Sequence, residues 1–173
     1  YKLMRKCLPL LQKHDMPVDI QTKSALVTRD IDLLQSFTRV AVGVTITTMD
    51  EGTRRRLEPQ APPAEQRLDA IRELSDMGIN TYIFFGPILP DLEPDEAAGY
   101  VRRFADAGAD EIMVDTLHLK PGVWDNITPV LTDEKRALYR QRLQRESSYY
   151  QDIIGEIETT CRALRLPCRR AFS

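Results

Sequence analysis

Cysteine is scarce in this chain and badly placed for cross-linking. The 173 residues hold three cysteines, Cys7, Cys161 and Cys168. An odd count at wide spacing argues against a disulfide framework and for a reducing compartment such as the cytoplasm. Histidine is scarcer still: His14 and His118 stand alone, at no metal-ligand spacing from other donors. No apolar run reaches the roughly eighteen residues that a membrane-spanning helix needs. The N-terminus lacks the apolar stretch of a signal peptide. Charge of one sign is also missing, since the formal net charge is −2. Overall charge therefore gives no support to a nucleic-acid partner, which would have to rest on a local patch.

What remains is an ordinary globular composition, 42% hydrophobic and 29% charged, with length enough for one domain and a sizeable core. The chain opens at Tyr1 and enters KLMRKCLPLL, which reads as the middle of a helix. That opening suggests a domain fragment, or a chain with more sequence upstream.

Strand-like and helix-like segments alternate. Apolar residues at helical spacing predict a helix over 3–14, and PVDIQTK a first strand over 17–23. A helical face follows over 29–37. VAVGVTITT (40–48) is β-branched and almost continuously apolar, as a strand buried on both sides should be. MDEGTRRRLEPQAPP reads as a polar, proline-stiffened loop. A helix over 64–78 ends at Gly78, a strand over 79–90 follows, and a helix over 94–109 ends near Gly108. A fourth strand spans 110–118, and the last third is charged and helical from about 133 to 164.

Alternation of this kind implies right-handed βαβ units and a parallel sheet. Four strands against the eight of a closed barrel predict an α/β fold of one type: a partial (β/α), TIM-like barrel, incomplete on its N-terminal side. The barrel part is placed at 1–125. A C-terminal helical extension packing on it takes up 126–173.

In parallel α/β folds ligands bind at the carboxyl ends of the strands. This rule selects Thr22, Lys23 and Ser24; Thr45, Thr47, Thr48 and Asp50; Gly86, Pro87 and Pro90; Asp115, Thr116 and His118. Lys23 is either a solvated loop charge, a cation that neutralises a carboxylate or phosphate, or a Schiff-base amine. Thr45 is a plain β-former or a buried hydroxyl in need of a partner. Gly43, in the same strand, marks a bulge or room for a close approach. Glu58 pairs with Arg54, Arg55 or Arg56, or else hydrogen-bonds a ribose. Asp115 is a rim ligand or a turn cap. Arg136, Arg140, Arg142 and Arg145, interleaved with Tyr139, Tyr149 and Tyr150, form a basic–aromatic surface or a solvated helix face packed on the barrel.

Taken in order, TKSALVTRDIDLL, VTITTMDE, RRLEPQAPPAEQRLDAIRELSDMGI and GPILP resemble the spore photoproduct lyase-like, or DNA repair photolyase-like, branch of the radical S-adenosylmethionine enzymes. The likeness covers roughly Tyr1 to Pro90 and thins out afterwards. It implies a partial barrel and an oxidoreductase or lyase activity. It also implies a [4Fe-4S] cluster held by C-x3-C-x2-C, and reductive cleavage of S-adenosylmethionine to a 5′-deoxyadenosyl radical. A reductant such as ferredoxin or flavodoxin would supply the electron. The cluster motif is absent here, so the resemblance places the cluster in a full-length protein only and makes this chain alone inactive.

By the same resemblance, Lys23 meets the carboxylate of S-adenosylmethionine, Thr45 stands where the family has a serine, and Glu58 belongs to the LEP element. The backbone at Gly86 and Pro87 would approach the adenine. PILPDLEP departs from the family's pattern at the strand end, and the substrate stays unassigned. Two other readings remain: an aldolase-like barrel with Lys23 as Schiff base, and a non-enzymatic nucleic-acid or partner-binding module.

Overall fold

The computed structural model describes residues 3–144 and 146–171. Eight helices and five strands follow one another along these residues: α1 (Leu3–Lys13), β1 (Val18–Thr22), α2 (Ile31–Leu34), β2 (Val40–Ile46), α3 (Glu51–Leu57), α4 (Ala64–Asp76), β3 (Asn80–Ile88), α5 (Pro94–Asp106), β4 (Glu111–Thr116), α6 (Val123–Ile127), α7 (Asp133–Arg142), α8 (Tyr149–Leu164) and β5 (Cys168–Arg170). The strands form one sheet in the order β1-β2-β3-β4-β5, every neighbour parallel. The fold is α/β with a five-stranded parallel sheet.

The sheet has two unlike faces. Val44, Ile46, Ile83, Phe85, Ile112 and Val114 join Leu68 and Ile71 of α4, Val101 and Phe104 of α5, and Ile153 and Ile157 of α8 in the main core. Val18, Val42 and Ile79 meet Leu8 of α1, Leu34 of α2 and Leu74 of α4 in a second core. Residues of the other parity lie in register on the opposite face. They are Gln21, Gly43, Tyr82 and Glu111 in one row, then Thr45, Phe84 and Met113 in the next. Strand alternation puts Lys23, Gly86 and Asp115 on that second face as well.

The expected elements differ from the structure in four places. The expected 29–37 helix is α-helical only for the single turn of α2, which follows a 3-10 turn over Ala25–Asp30 started by the Ser24 hydroxyl accepting from the Leu26 N–H. The expected loop holds α3, whose N-terminus is capped by Asp50 accepting from the Thr53 N–H at 2.6 Å. The helical last third breaks between α7 and α8. The C-terminal region also supplies a fifth strand, β5, so it is not purely a helical extension. Tyr1 and Lys2, where the chain opens, and Arg145 of the basic surface lie outside the described residues.

The helix-to-strand joints behave as their glycines suggest. Gly78 and Gly108 sit at φ 73° and 83°, a conformation that costs a Cβ-bearing residue and ends α4 and α5 cleanly. Beyond β4, a separate small core of Leu117, Leu131 and Tyr139, packed with Leu57 and Trp124, seats α6 and α7 near the C-terminal edge of the sheet.

Candidate functional site

Two groups of side chains form on the carboxyl edge. The first gathers around Glu58. Lys23 leaves the end of β1 and reaches it, with Nζ 2.6 Å from Oε1. Arg67 on α4 reaches it from the opposite side, Nη2 to Oε2 at 3.0 Å. The Arg67 side chain is only 1% exposed, and its other nitrogens donate to two main-chain carbonyls, Thr45 at 2.8 Å and Pro62 at 3.0 Å. One guanidinium thereby ties the end of β2, the LEP loop and α4 together. Burial alone would raise the Glu58 carboxyl, but the hydrogen bonds and charges of Lys23 and then Arg67 outweigh it, and the net shift is downward.

This triad holds two cations and one carboxylate, so it carries one uncompensated positive charge. That charge faces outward at Lys23, whose side chain is 43% exposed against 14% for Glu58. The arrangement can accept an anion at Lys23 without burying it. A Schiff-base lysine needs a neutral amine in a desolvated pocket. Lys23 has the opposite surroundings, a carboxylate and solvent.

Thr45 lies in the same neighbourhood. It is buried, and its hydroxyl accepts from the Gln21 side chain at 3.5 Å, the outer limit for such a bond. Gly43 is expected to mark a bulge or to leave room for a close approach, by a ligand among others. The Tyr82 ring fills that space: a Cβ on Gly43 would stand 2.1 Å from the ring, whose hydroxyl donates to Asp19 at 2.8 Å.

Gly86, Pro87 and Asp115 make up the second group. A Cβ on Gly86 would meet the Asp115 Cβ at 2.8 Å, so the glycine lets β3 pass close to β4. Pro87 falls where the β3–β4 register shifts between Phe85 and Ile88, a position where no ladder N–H is required of it. Pro87 and Asp115 line a cavity of ≈ 520 Å³ with Thr116, Leu117, His118, Lys120 and Val123. The His118 Nε2 is 3.5 Å from Asp115 and 3.3 Å from the Thr116 hydroxyl. Lys23 and Asp115 are three strand spacings apart, roughly 15 Å.

Two tyrosines at the start of α8 hold this edge in place. The Tyr150 hydroxyl donates to the Ile88 carbonyl at 2.9 Å and accepts from the Leu117 N–H at 3.2 Å. The Tyr149 hydroxyl contacts the Leu89 and Leu92 carbonyls at 2.9 and 2.8 Å. The expected basic–aromatic surface is largely spent on the same task. Arg142 donates to the Pro90 carbonyl and to Glu93 and lies over the Tyr149 ring, Arg140 stacks on Trp124, and Arg136 pairs with Asp133. Tyr139 is buried and donates to Asp91 at 2.9 Å, with Lys135 on the other oxygen of the same carboxylate.

The sequence reading missed Arg67. Its signal was present: a charged residue on the apolar stripe of α4, in line with Ala64, Leu68, Ile71 and Leu74. For Glu58 the sequence offers a ribose hydroxyl, or a pair with Arg54, Arg55 or Arg56. Arg54 turns instead to Glu51 and to the Glu58 and Ala61 carbonyls, leaving the Glu58 carboxylate to partners distant in sequence.

No protein-family model matches the chain. It is similar to an uncharacterized protein of Methanocaldococcus jannaschii, 40% identical over 92 residues, which are 53% of this chain and 35% of that protein. An uncharacterized protein of Acidianus two-tailed virus is 33% identical over 124 residues, 68% of this chain and 40% of that one. An uncharacterized protein of Mycobacterium tuberculosis is 28% identical over 156 residues, 82% and 45% of the two chains. The chain spans less than half the length of each of these curated relatives. Among the described residues, no helix is long and apolar enough to cross a membrane.

Proposed function

We propose that this chain forms the S-adenosylmethionine-carboxylate end of the active site in a radical S-adenosylmethionine enzyme of the spore photoproduct lyase-like branch. The observation that carries the reading is the outward-facing positive charge of the Lys23–Glu58–Arg67 triad at the strand ends. In this reading the sheet is an arc of a (β/α) barrel. Its strictly sequential strand order supports an arc over a doubly wound sheet, where the order reverses at a switch point.

Lys23 would hold the carboxylate, Arg67 would fix Glu58 so that Lys23 points to solvent, and the Thr45 hydroxyl would offer a further hydrogen bond. The Gly86–Pro87 backbone and Asp115 line the far end of the edge, at a distance that an extended aminoacyl nucleoside can bridge. When bound and reduced, S-adenosylmethionine supplies a radical that abstracts hydrogen from a substrate; the substrate is unassigned. The family's iron–sulfur cluster does not fit the residues present. Cys7 lies on α1, far in sequence from Cys161 and Cys168, and among the described residues no group of three ligating side chains is placed to hold a metal. In this proposal the cluster ligands and the ferredoxin- or flavodoxin-type reductant come from outside these residues, and the chain alone has no turnover.

Calorimetric titration with S-adenosylmethionine and with methylthioadenosine, which lacks the aminoacyl carboxylate, tests the reading. Lys23→Met should weaken S-adenosylmethionine by about tenfold to a hundredfold, the worth of one charge-assisted hydrogen bond. Methylthioadenosine should be unaffected. Equal weakening of both ligands, or binding of neither by the wild-type chain, refutes it.

A further inference from the structure

Cys161 and Cys168 stand apart from the proposed cofactor edge. Six residues separate them, and the chain reverses between them. Helix α8 ends on Arg165 in the left-handed region at φ 56°, and the Leu166 N–H donates back to the Cys161 carbonyl at 2.9 Å. The chain then enters β5, where Cys168 pairs with Ile112 near the start of β4, away from Asp115. Both cysteines line one cavity of ≈ 270 Å³ with Glu158, Arg162 and Leu166. Cys168 packs against the core cluster that buries Cys161. Cys161 is 1% exposed, whereas Cys168 is only partly covered. The neighbouring Cys161 thiol lowers the Cys168 thiol against the opposing effect of burial, while Cys161 itself is raised.

We propose that Cys161 and Cys168 form a two-electron oxidation site that reduces a peroxide and closes to a disulfide. The Cys168 sulfur attacks one peroxide oxygen, the O–O bond breaks, and the hydroxide released takes up the proton that the Cys168 thiol gave up and leaves as water. Cys168 then carries a sulfenic S–OH. The Cys161 sulfur attacks the Cys168 sulfur, the S–O bond breaks, and the hydroxide leaves with the Cys161 proton as a second water. Two electrons pass from the sulfurs to hydrogen peroxide, which becomes two waters. The bond formed ties the end of α8 to the edge strand β5. Cys7, exposed on α1, serves as an internal control.

The test treats the whole chain with limiting hydrogen peroxide, alkylates remaining thiols with iodoacetamide and digests with trypsin. Cleavage after Arg162 and Arg165 places the two cysteines on separate peptides. The expected result is a dithiothreitol-sensitive link between those peptides, with alkylation lost at Cys161 and Cys168 and kept at Cys7. In Cys161→Ser the second step is blocked, and dimedone should label Cys168. Alkylation of both cysteines at a dose that oxidises Cys7, or no dimedone adduct on Cys168 in that variant, overturns the proposal.

Discussion

Replacing Arg67 by Met keeps the length of the side chain on α4 and removes its charge and all its donors. In the wild-type chain the guanidinium satisfies the Thr45 and Pro62 carbonyls and one oxygen of Glu58, while only 1% of the side chain is exposed. The variant leaves two carbonyls short of a partner and a largely buried carboxylate with Lys23 alone. Removing one partner from a buried ion pair costs about 3–5 kcal/mol. In a chain of this size each kcal/mol lowers Tm by about 2–4 °C, so the expected drop is about 6–20 °C. Arg67→Lys keeps the charge but not the planar fork that meets three acceptors, and should lose an intermediate amount, about 1–3 kcal/mol. The double variant Glu58→Met, Arg67→Met should be less damaged than the sum of its parts, because no buried charge is left unmatched. Urea and thermal unfolding followed by circular dichroism measure all three. A loss below about 1 kcal/mol in Arg67→Met would mean that the triad does not organise the strand end, and the reasoning would fail.

Acid should weaken the same triad. The Glu58 carboxyl is held below its ordinary range in the folded chain, so its contribution is present above the unfolded value near about 4.3 and is lost as pH falls through the folded value. The stability gap between wild type and Glu58→Gln should be flat from about pH 7 to about pH 5 and shrink on further acidification; a gap that widens in acid contradicts the assignment. Gly43→Ala drives a methyl into the Tyr82 ring, 2.1 Å away, and should cost about 1–3 kcal/mol in urea unfolding. Combined with Tyr82→Ala, much of that cost should vanish; simple additivity of the two would show that the ring is not the obstacle.

The sheet was legible because β2 and β3 are rich in β-branched and aromatic residues, and because α4 and α5 each end on a glycine at positive φ. The elements that escaped depend on local or tertiary bonds that composition does not report. Helix α3 carries a glycine and three arginines and rests on the Asp50 cap; β5 is three residues long and pairs only because α8 delivers it to β4. The site shows the same division. Lys23, Thr45, Glu58, Gly86, Pro87 and Asp115 could be nominated from the strand-end rule and the family resemblance. That Glu58 bridges Lys23 and Arg67 could not, because the partners lie 35 and 9 residues away and meet only once the sheet exists. The thiol pair was hidden for the same reason, since its contact requires the left-handed turn at Arg165.

β4 and β5 are neighbours in the sheet, yet about fifty residues run between them, carrying α6, α7 and α8. The excursion leaves at the carboxyl end of β4 and returns at the opposite end of the sheet, where β5 starts beside Ile112, but its rim segment is pinned where the Tyr150 hydroxyl accepts from the Leu117 N–H at 3.2 Å. Closing such a loop costs little more when it is longer, because the entropy grows with the logarithm of its length. The rim segment is thus a cassette held at that contact. The part that projects over the carboxyl edge between Leu117 and Ser148 can be lengthened, shortened or exchanged while the sheet beneath keeps its register. What this molecule accepts at its rim can be altered without rebuilding the scaffold that presents Lys23.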